Sequence, residues 1–117
     1  MIKTTNYEIS KKLKEAGFEA ETDYNFIKRN NQEVFLINIK ELSGIEIMNE
    51  IGVFIESYDL ETILDALPKI NKQEYLLCSG GIAYLNDDYI SIGREKNESL
   101  ADTAGKMWLL LKEKGLV

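Results

Sequence analysis

The residue types that carry out most enzymatic chemistry are scarce in this sequence. The chain has no histidine, which removes the commonest general base, the Ser-His-Asp and Cys-His nucleophiles, and histidine-based zinc sites. The single cysteine, Cys78, stands in the run LLCS, where we expect a small core side chain rather than a reactive thiol. We therefore predict that the protein is not an enzyme and holds no metal or cofactor. Catalysis by carboxylates or tyrosines with shifted pKa values stays open.

Two short stretches contain suitable residue types without the context that their chemistry needs. Asp87 and Asp88 could ligate a hard cation, but calcium and magnesium take more oxygen ligands than these two. Adjacent acids after Asn86 are more typical of a hairpin turn. The TAGK stretch at 103–106 lacks the first glycine of a phosphate-binding loop and lies within a helical pattern. Neither stretch predicts a site.

The distribution of charge is the most unusual feature of the chain. Residues 41–68 contain seven carboxylates and no lysine or arginine. The other residues carry thirteen acids and fourteen bases, so this segment accounts for the whole net charge of −6. We do not expect direct nucleic-acid binding, because neutralising phosphates requires a basic surface. A basic protein partner is electrostatically favoured.

Five acidic side chains within residues 41–65 are the predicted binding residues. Glu46, Glu50 and Glu56 have no evident role in local structure, and we expect them to be central. Glu61 and Asp65 flank them, although Glu61 also lies in the first turn of a predicted helix, where the helix dipole favours negative charge. This surface would dock on a basic groove, with complementary charge setting encounter rate and specificity. Alternatively, the stretch is a solvated face that keeps the protein soluble.

Capping signals predict where the first two helices begin and end. Thr5 and Glu8 form a capping-box pattern that begins the first helix, and Gly17 supplies its left-handed end. The second helix begins after Asp59, which we expect to be its N-cap, and ends before Pro68.

The third helix has the clearest pattern. Ser99 is its expected N-cap, and Asp102 three residues later completes a second capping pair. Trp108 falls in the apolar stripe, where a core role is favoured over that of an interface anchor. Gly115 ends the helix in the same way as the glycine after the first helix.

Six strand-like runs complete the pattern. YNFIKR (24–29) comes first, and EVFLINIK (33–40) is apolar on both faces, so we expect it at the centre of a sheet. GVFIES (52–57) follows, and YLLCSG, IAYLN and YISIGR after Pro68 predict three antiparallel strands. This order predicts an α+β sandwich, in which a mainly antiparallel sheet of about five or six strands packs with three helices.

Length and composition predict a single α+β domain over residues 1–117. Hydrophobic residues make up 44% and charged residues 29%, which is typical of a folded globule. No apolar signal region begins the chain, and no apolar run approaches the length of a membrane span. A lone cysteine fits a reducing compartment, so we predict a cytoplasmic protein that does not enter membranes.

The helical segments resemble those of small phage and prophage proteins. ESLADTAGKMWLLLKEKGLV (98–117) is similar to the closing helix of such proteins, in which an S-L-A-D-A pattern precedes an apolar helix with a tryptophan. YEISKKLKEAGF (7–18) and YDLETILDALP (58–68) are similar to their other helices. The resemblance implies the phage ABA-sandwich type, a sheet with helices on both sides. Such proteins are mostly of unassigned function, and the resemblance carries over no catalytic residues. A phage origin together with the acidic segment suggests an accessory role, such as anti-defence or host takeover.

Three functional hypotheses follow. The leading one is a binding protein that uses the acidic residues. The alternative is a homo-oligomeric assembly protein that uses a strand edge or apolar patch, with EVFLINIK or GVFIES as candidate edges. The third, a small-ligand pocket near Cys78 and Tyr84, is supported only by the presence of suitable residues.

Overall fold

The computed structural model describes residues 3–29, 34–41, 52–85 and 89–117. Within these ranges the order is helix, three strands, helix, three strands, helix, so the predicted α+β class is confirmed. The elements are α1 (Tyr7–Glu15), β1 (Tyr24–Arg29), β2 (Val34–Asn38) followed by a 3-10 turn (Ile39–Glu41), β3 (Gly52–Ser57), α2 (Leu60–Ala66), β4 (Leu76–Cys78), β5 (Gly81–Tyr84), β6 (Ile90–Gly93) and α3 (Leu100–Glu113).

The strands form two antiparallel sheets rather than the single sheet of five or six strands that we expected. The first sheet has the order β2-β1-β3 and the second β4-β5-β6. The prediction that EVFLINIK lies at the centre of a sheet is wrong, because β1 is central and β2 lies at an edge of the described sheet. Val34 and Leu36 of β2 are also exposed. Apolar alternation reports which face a side chain occupies, and it carries no information on which strand is the hydrogen-bonded neighbour.

Helices α1 and α3 connect the two sheets by packing on each other and on one sheet each. Helix α1 packs on β3 and on α3, whereas α3 also packs on α2, β5 and β6. The rings of Phe18 and Trp108 meet edge to face at a centroid distance of 4.9 Å, and Phe18 meets Tyr58 in the same way at 4.7 Å. Trp108 is therefore in the core, as predicted. For the described residues, this arrangement differs from one sheet with helices on both sides.

Side-chain caps begin all three helices described. Asn6, not Thr5, is the N-cap of α1, and its Oδ1 accepts a hydrogen bond from the Ile9 N–H at 2.8 Å. Asp59 caps α2 and Ser99 caps α3, as predicted. Helices α1 and α3 both end at a left-handed glycine, and the N–H groups of that glycine and of the next residue donate to carbonyl oxygens of the last turn.

The molecule is elongated. Its principal extents are 52 × 27 × 23 Å and its radius of gyration is 15.6 Å, whereas a compact domain of this length is expected at about 13 Å. Among the described residues, no helix has both the length and the apolar character needed to cross a membrane.

Candidate functional site

Three of the five predicted acidic binding residues can be placed. Glu46 and Glu50 lie outside the described residues. Glu56 is exposed on β3, and Glu61 and Asp65 are exposed on α2. The described part of the acidic surface therefore consists of these last three side chains.

The sequence of α2 explains why its two acids point outward. Asp59 Oδ1 accepts the Thr62 N–H at 2.8 Å and starts the helix, which buries Ile63 completely. Glu61 and Asp65 are four residues apart, so they lie one turn apart on the exposed side. Neither forms an ion pair with a lysine or arginine in the part of the chain that is described, and the last turn of α2 has no base. The two carboxylates thus present a negative face that no ion pair among the described residues neutralises.

Glu56 belongs to a different acidic group. Register places it opposite Asn25 on β1, and together with Glu21 and Asp23 it lines a cavity of about 470 Å³. The Tyr58 hydroxyl donates to Glu56 Oε2 at 3.2 Å, and burial together with this carboxylate raises the pKa of Tyr58 above its ordinary range. The sequence did not indicate this grouping, because the segment before β1 meets the end of β3 only through sheet pairing.

Glu61 lines a second cavity, of about 520 Å³, at the start of α2 and α3. Its walls include Asp59 and Ser99, the caps of these helices, and two cations, Lys3 and Arg94. Arg94 Nε donates to the Glu98 carbonyl oxygen at 2.7 Å, which holds this arginine against the loop before α3. The cavity therefore contains both signs of charge. The three described acids fall in two places, one at the end of β3 and one on α2.

Glu98, in the loop before α3, is a largely buried acid with a structural role. Only 10% of the Glu98 side chain is exposed, and its carboxylate pairs with Lys106 and accepts the Thr103 hydroxyl at 2.8 Å. Burial alone would raise the pKa of Glu98, but the hydrogen bonds from Lys106 and Thr103 outweigh it and lower that pKa. The hydrogen bond to Glu98 correspondingly raises the pKa of Lys106. The pair fastens the β6–α3 loop to the helix.

The arrangement does not assemble a metal site among the residues that are described. No group of three or more cysteine, aspartate or glutamate side chains is placed there to hold an ion. Asp87 and Asp88 lie outside the described residues.

The prediction that Cys78 is a core residue is wrong. It lies on the edge strand β4 and is exposed. Tyr84 is fully buried on the opposite face of the same sheet, where its hydroxyl donates to the Pro68 carbonyl oxygen at 2.7 Å and burial raises its pKa to about 12. The register pairs Cys78 with Gly81, three residues before Tyr84, so the two side chains face opposite ways. A pocket shared by Cys78 and Tyr84 does not form.

Comparisons of the chain with protein-family models, with curated proteins and with solved structures found no match in any of the three. Function is therefore inferred from the geometry described above.

Proposed function

We propose that this chain is a non-enzymatic protein that acts by binding a basic protein partner. The binding residues are the acids predicted from the sequence: Glu46, Glu50, Glu56, Glu61 and Asp65. The observation that supports this most is on α2, where Glu61 and Asp65 are exposed, one turn apart, and form no ion pair with any basic residue that the structure describes. A partner with lysine or arginine at matching positions would supply the missing charge.

Electrostatic attraction of this kind acts mainly on encounter. Exposed charges raise the association rate and select among partners, while contributing less to the lifetime of the complex. The attraction is screened over about 30 Å at 0.01 M ionic strength and about 8 Å at 0.15 M. Binding through these acids is therefore expected to weaken as salt is added.

The resemblance to small phage proteins, together with the lone cysteine, supports a more specific version of the proposal. In that version the protein works in the cytoplasm of a host cell, and the partner is a host protein whose basic groove is occupied during takeover or evasion of defence. This version depends on the resemblance and is tested by the identity of the captured partner.

The experiment compares two triple variants that remove the same number of charges. One is Glu56→Gln with Glu61→Gln and Asp65→Asn, and the control is Glu8→Gln with Glu15→Gln and Glu113→Gln, whose side chains are also exposed. Each tagged protein is used to capture partners from host lysate at low and at moderate salt. We expect the wild type and the control to retain one basic protein at low salt and the first variant to lose it.

A separate Glu46→Gln and Glu50→Gln variant tests the other two acids. If the captured protein binds all variants equally, or binds without dependence on salt, the acidic side chains are a solvated surface and the proposal is wrong. If both triple variants lose the partner to the same extent, net charge rather than this surface is responsible, and the assigned residues are wrong.

A further inference from the structure

The cavity at the end of β3 has a polar side chain in its wall that forms no hydrogen bond within the described ranges. This side chain is Asn25 of β1, which lines the cavity and is only 3% exposed. A side-chain amide has an acceptor oxygen and two donor hydrogens, and leaving them unpaired in a buried position costs free energy. Buried polar groups in native proteins nearly always have a partner. The amide therefore points to a ligand in the cavity.

Strand pairing sets this amide beside a carboxylate. Register places Asn25 directly opposite Glu56 of β3. Side chains at directly opposite positions of an antiparallel pair stand on the same face of the sheet, with Cβ atoms about 4.5–5.5 Å apart. Both residues line the cavity, but Glu56 is exposed whereas Asn25 is buried. The carboxylate thus lies towards the mouth of the cavity and the amide lies deeper.

The charge of the cavity selects a cation. Glu21, Asp23 and Glu56 line it, and no lysine or arginine is among its described lining residues. Asp23 is already paired with Lys40 at 3.1 Å, and one Glu56 oxygen accepts the Tyr58 hydroxyl at 3.2 Å. Glu21 forms no ion pair in the described part of the chain. Glu21 and the second Glu56 oxygen are therefore open to a cation from outside.

The geometry favours an organic cation over a metal ion. Among the described residues, no three carboxylates are placed to hold a metal ion. A guanidinium is larger and planar, and its five N–H donors form a fixed fork, so it reaches separated acceptors at the same time. It is also more weakly hydrated than an ammonium, which lowers the cost of entering a partly buried site. The cavity volume of about 470 Å³ is ordinary for a small-molecule site.

We propose that this cavity binds the guanidinium group of an arginine side chain, supplied by the basic protein partner. Glu21 and Glu56 neutralise its charge, and Asn25 Oδ1 accepts an N–H from its inner edge. This inference rests on the proposed function and names the chemistry of the partner's contact at Glu56. It also depends on Asn25 and Glu21, which are not among the acids assigned from the sequence, so the two proposals can fail separately.

The test uses two probes of equal charge, Nα-acetyl-arginine methylamide and Nα-acetyl-lysine methylamide, titrated into isotope-labelled protein and followed by NMR. We expect the arginine probe to shift the Asn25 side-chain amide signals and to bind several times more tightly than the lysine probe. Asn25→Leu keeps the volume and removes the amide, and it should weaken binding of the arginine probe about tenfold, measured at the Glu56 backbone amide. Glu15→Gln removes an exposed acid on α1 and should leave the binding unchanged.

A second variant tests the same cavity without touching a buried position. Glu21 is exposed, and Glu21→Gln should weaken binding of the arginine probe about two- to fivefold. Equal affinity for the two probes would overturn the proposal, as would binding by Asn25→Leu and Glu21→Gln at the wild-type affinity. Binding of neither probe would mean that the cavity holds water only.

Capture from host lysate separates this inference from the proposed function. A partner that is lost by Glu61→Gln with Asp65→Asn, but retained by Asn25→Leu and by Glu21→Gln, would support the proposed function and overturn the arginine cavity. Binding of the arginine probe without capture of any basic protein would support the cavity and contradict the proposed function. Loss of the partner by all of these variants, and not by Glu15→Gln, is the result that we expect.

Discussion

At the scale of single residues, Gly105 explains a stretch that the sequence left without a role. It is the glycine of TAGK, and it lies in the interior of α3, where glycine normally weakens a helix by about 1 kcal/mol relative to alanine. A Cβ at this position would lie 2.7 Å from Ile9 Cγ2 of α1. The glycine is present because α1 and α3 approach each other closely here.

A glycine-to-alanine substitution in a helix interior normally stabilises a protein. We expect Gly105→Ala to destabilise this one. We expect the free energy of unfolding to fall by about 1–3 kcal/mol, because Ile9 is β-branched and cannot move aside without repacking. The free energy of unfolding is measured by urea denaturation, with Trp108 fluorescence as the signal. Gly93→Ala, whose added methyl group meets nothing within 4 Å, is the control and should have little effect; an increase in stability for Gly105→Ala would contradict the close approach.

Glu98 makes stability depend on pH in a predictable direction. Its pKa in the folded state is lowered from 4.5, so folding favours the ionised carboxylate. This contribution is fully present above the unfolded pKa and is lost as pH falls through the folded pKa. At neutral pH, Glu98→Gln should reduce the free energy of unfolding by about 1–2 kcal/mol, and the difference from wild type should narrow below about pH 4.5.

Thermal unfolding at a series of pH values measures this effect. Glu95→Gln is the matched control, since Glu95 approaches the same lysine at 3.5 Å but is 75% exposed, and exposed pairs contribute little. A difference between Glu98→Gln and wild type that stays constant down to pH 3 would show that the carboxylate charge does not contribute.

At the scale of elements, a group of buried hydroxyls joins the start of α1 to the end of β3. Thr5, Ser10 and Ser57 are all completely buried. Thr5 Oγ1 lies 2.7 Å from Ser10 Oγ and accepts the Tyr58 N–H at 3.1 Å, and the Ser57 hydroxyl donates to the Thr5 carbonyl oxygen at 2.6 Å. Thr5 is thus used for tertiary contacts, which leaves Asn6 to cap the helix.

Thr5→Val tests this assignment because valine keeps the shape and removes the hydroxyl. We expect the free energy of unfolding to fall by about 1–3 kcal/mol, since the buried Tyr58 N–H loses its acceptor. Thr4→Val is the control, because the Thr4 side chain makes no hydrogen bond within the described ranges. Chemical denaturation of both variants measures the two changes in the free energy of unfolding. Equal changes at the two positions would mean that Thr5 contributes only through its volume.

The elements also show which parts of the fold are predictable. Capping residues and left-handed glycines act within a few residues of the helix end, so Asp59, Ser99 and Gly17 were read correctly. The use of Asn6 rather than Thr5 as the cap was not predictable, because the Thr5 hydroxyl instead accepts the Tyr58 N–H, which is remote in sequence. The division into two sheets was also not predictable from local sequence, because β1 pairs with β3 across a long intervening stretch.

The same distinction applies to the candidate sites: features set within one helix were predictable, and features set by strand pairing were not. The exposed acids of α2 were predictable, because helical spacing fixes which side of a short amphipathic helix faces outward. The grouping of Glu56 with Glu21 and Asp23 depends on strand pairing, and the exposure of Cys78 depends on its lying on the face of the second sheet opposite Tyr84. An apolar run such as LLCS predicts a strand, and it does not predict whether that strand is covered.

At the scale of the whole molecule, the described acidic residues and the second sheet belong to different parts of the fold. The acids are on β3 and α2, whereas β4, β5 and β6 form a sheet of their own. Helix α3 packs on both α2 and the second sheet.

The elongated shape has a practical consequence for how this protein moves in water. A particle with one dimension about twice the others experiences more drag than a sphere of equal mass, so it diffuses and elutes like a larger molecule. On a sizing column a monomer of this shape would be mistaken for a heavier species. Its tumbling is also anisotropic, so amide vectors along the long axis and across it will relax at different rates in NMR.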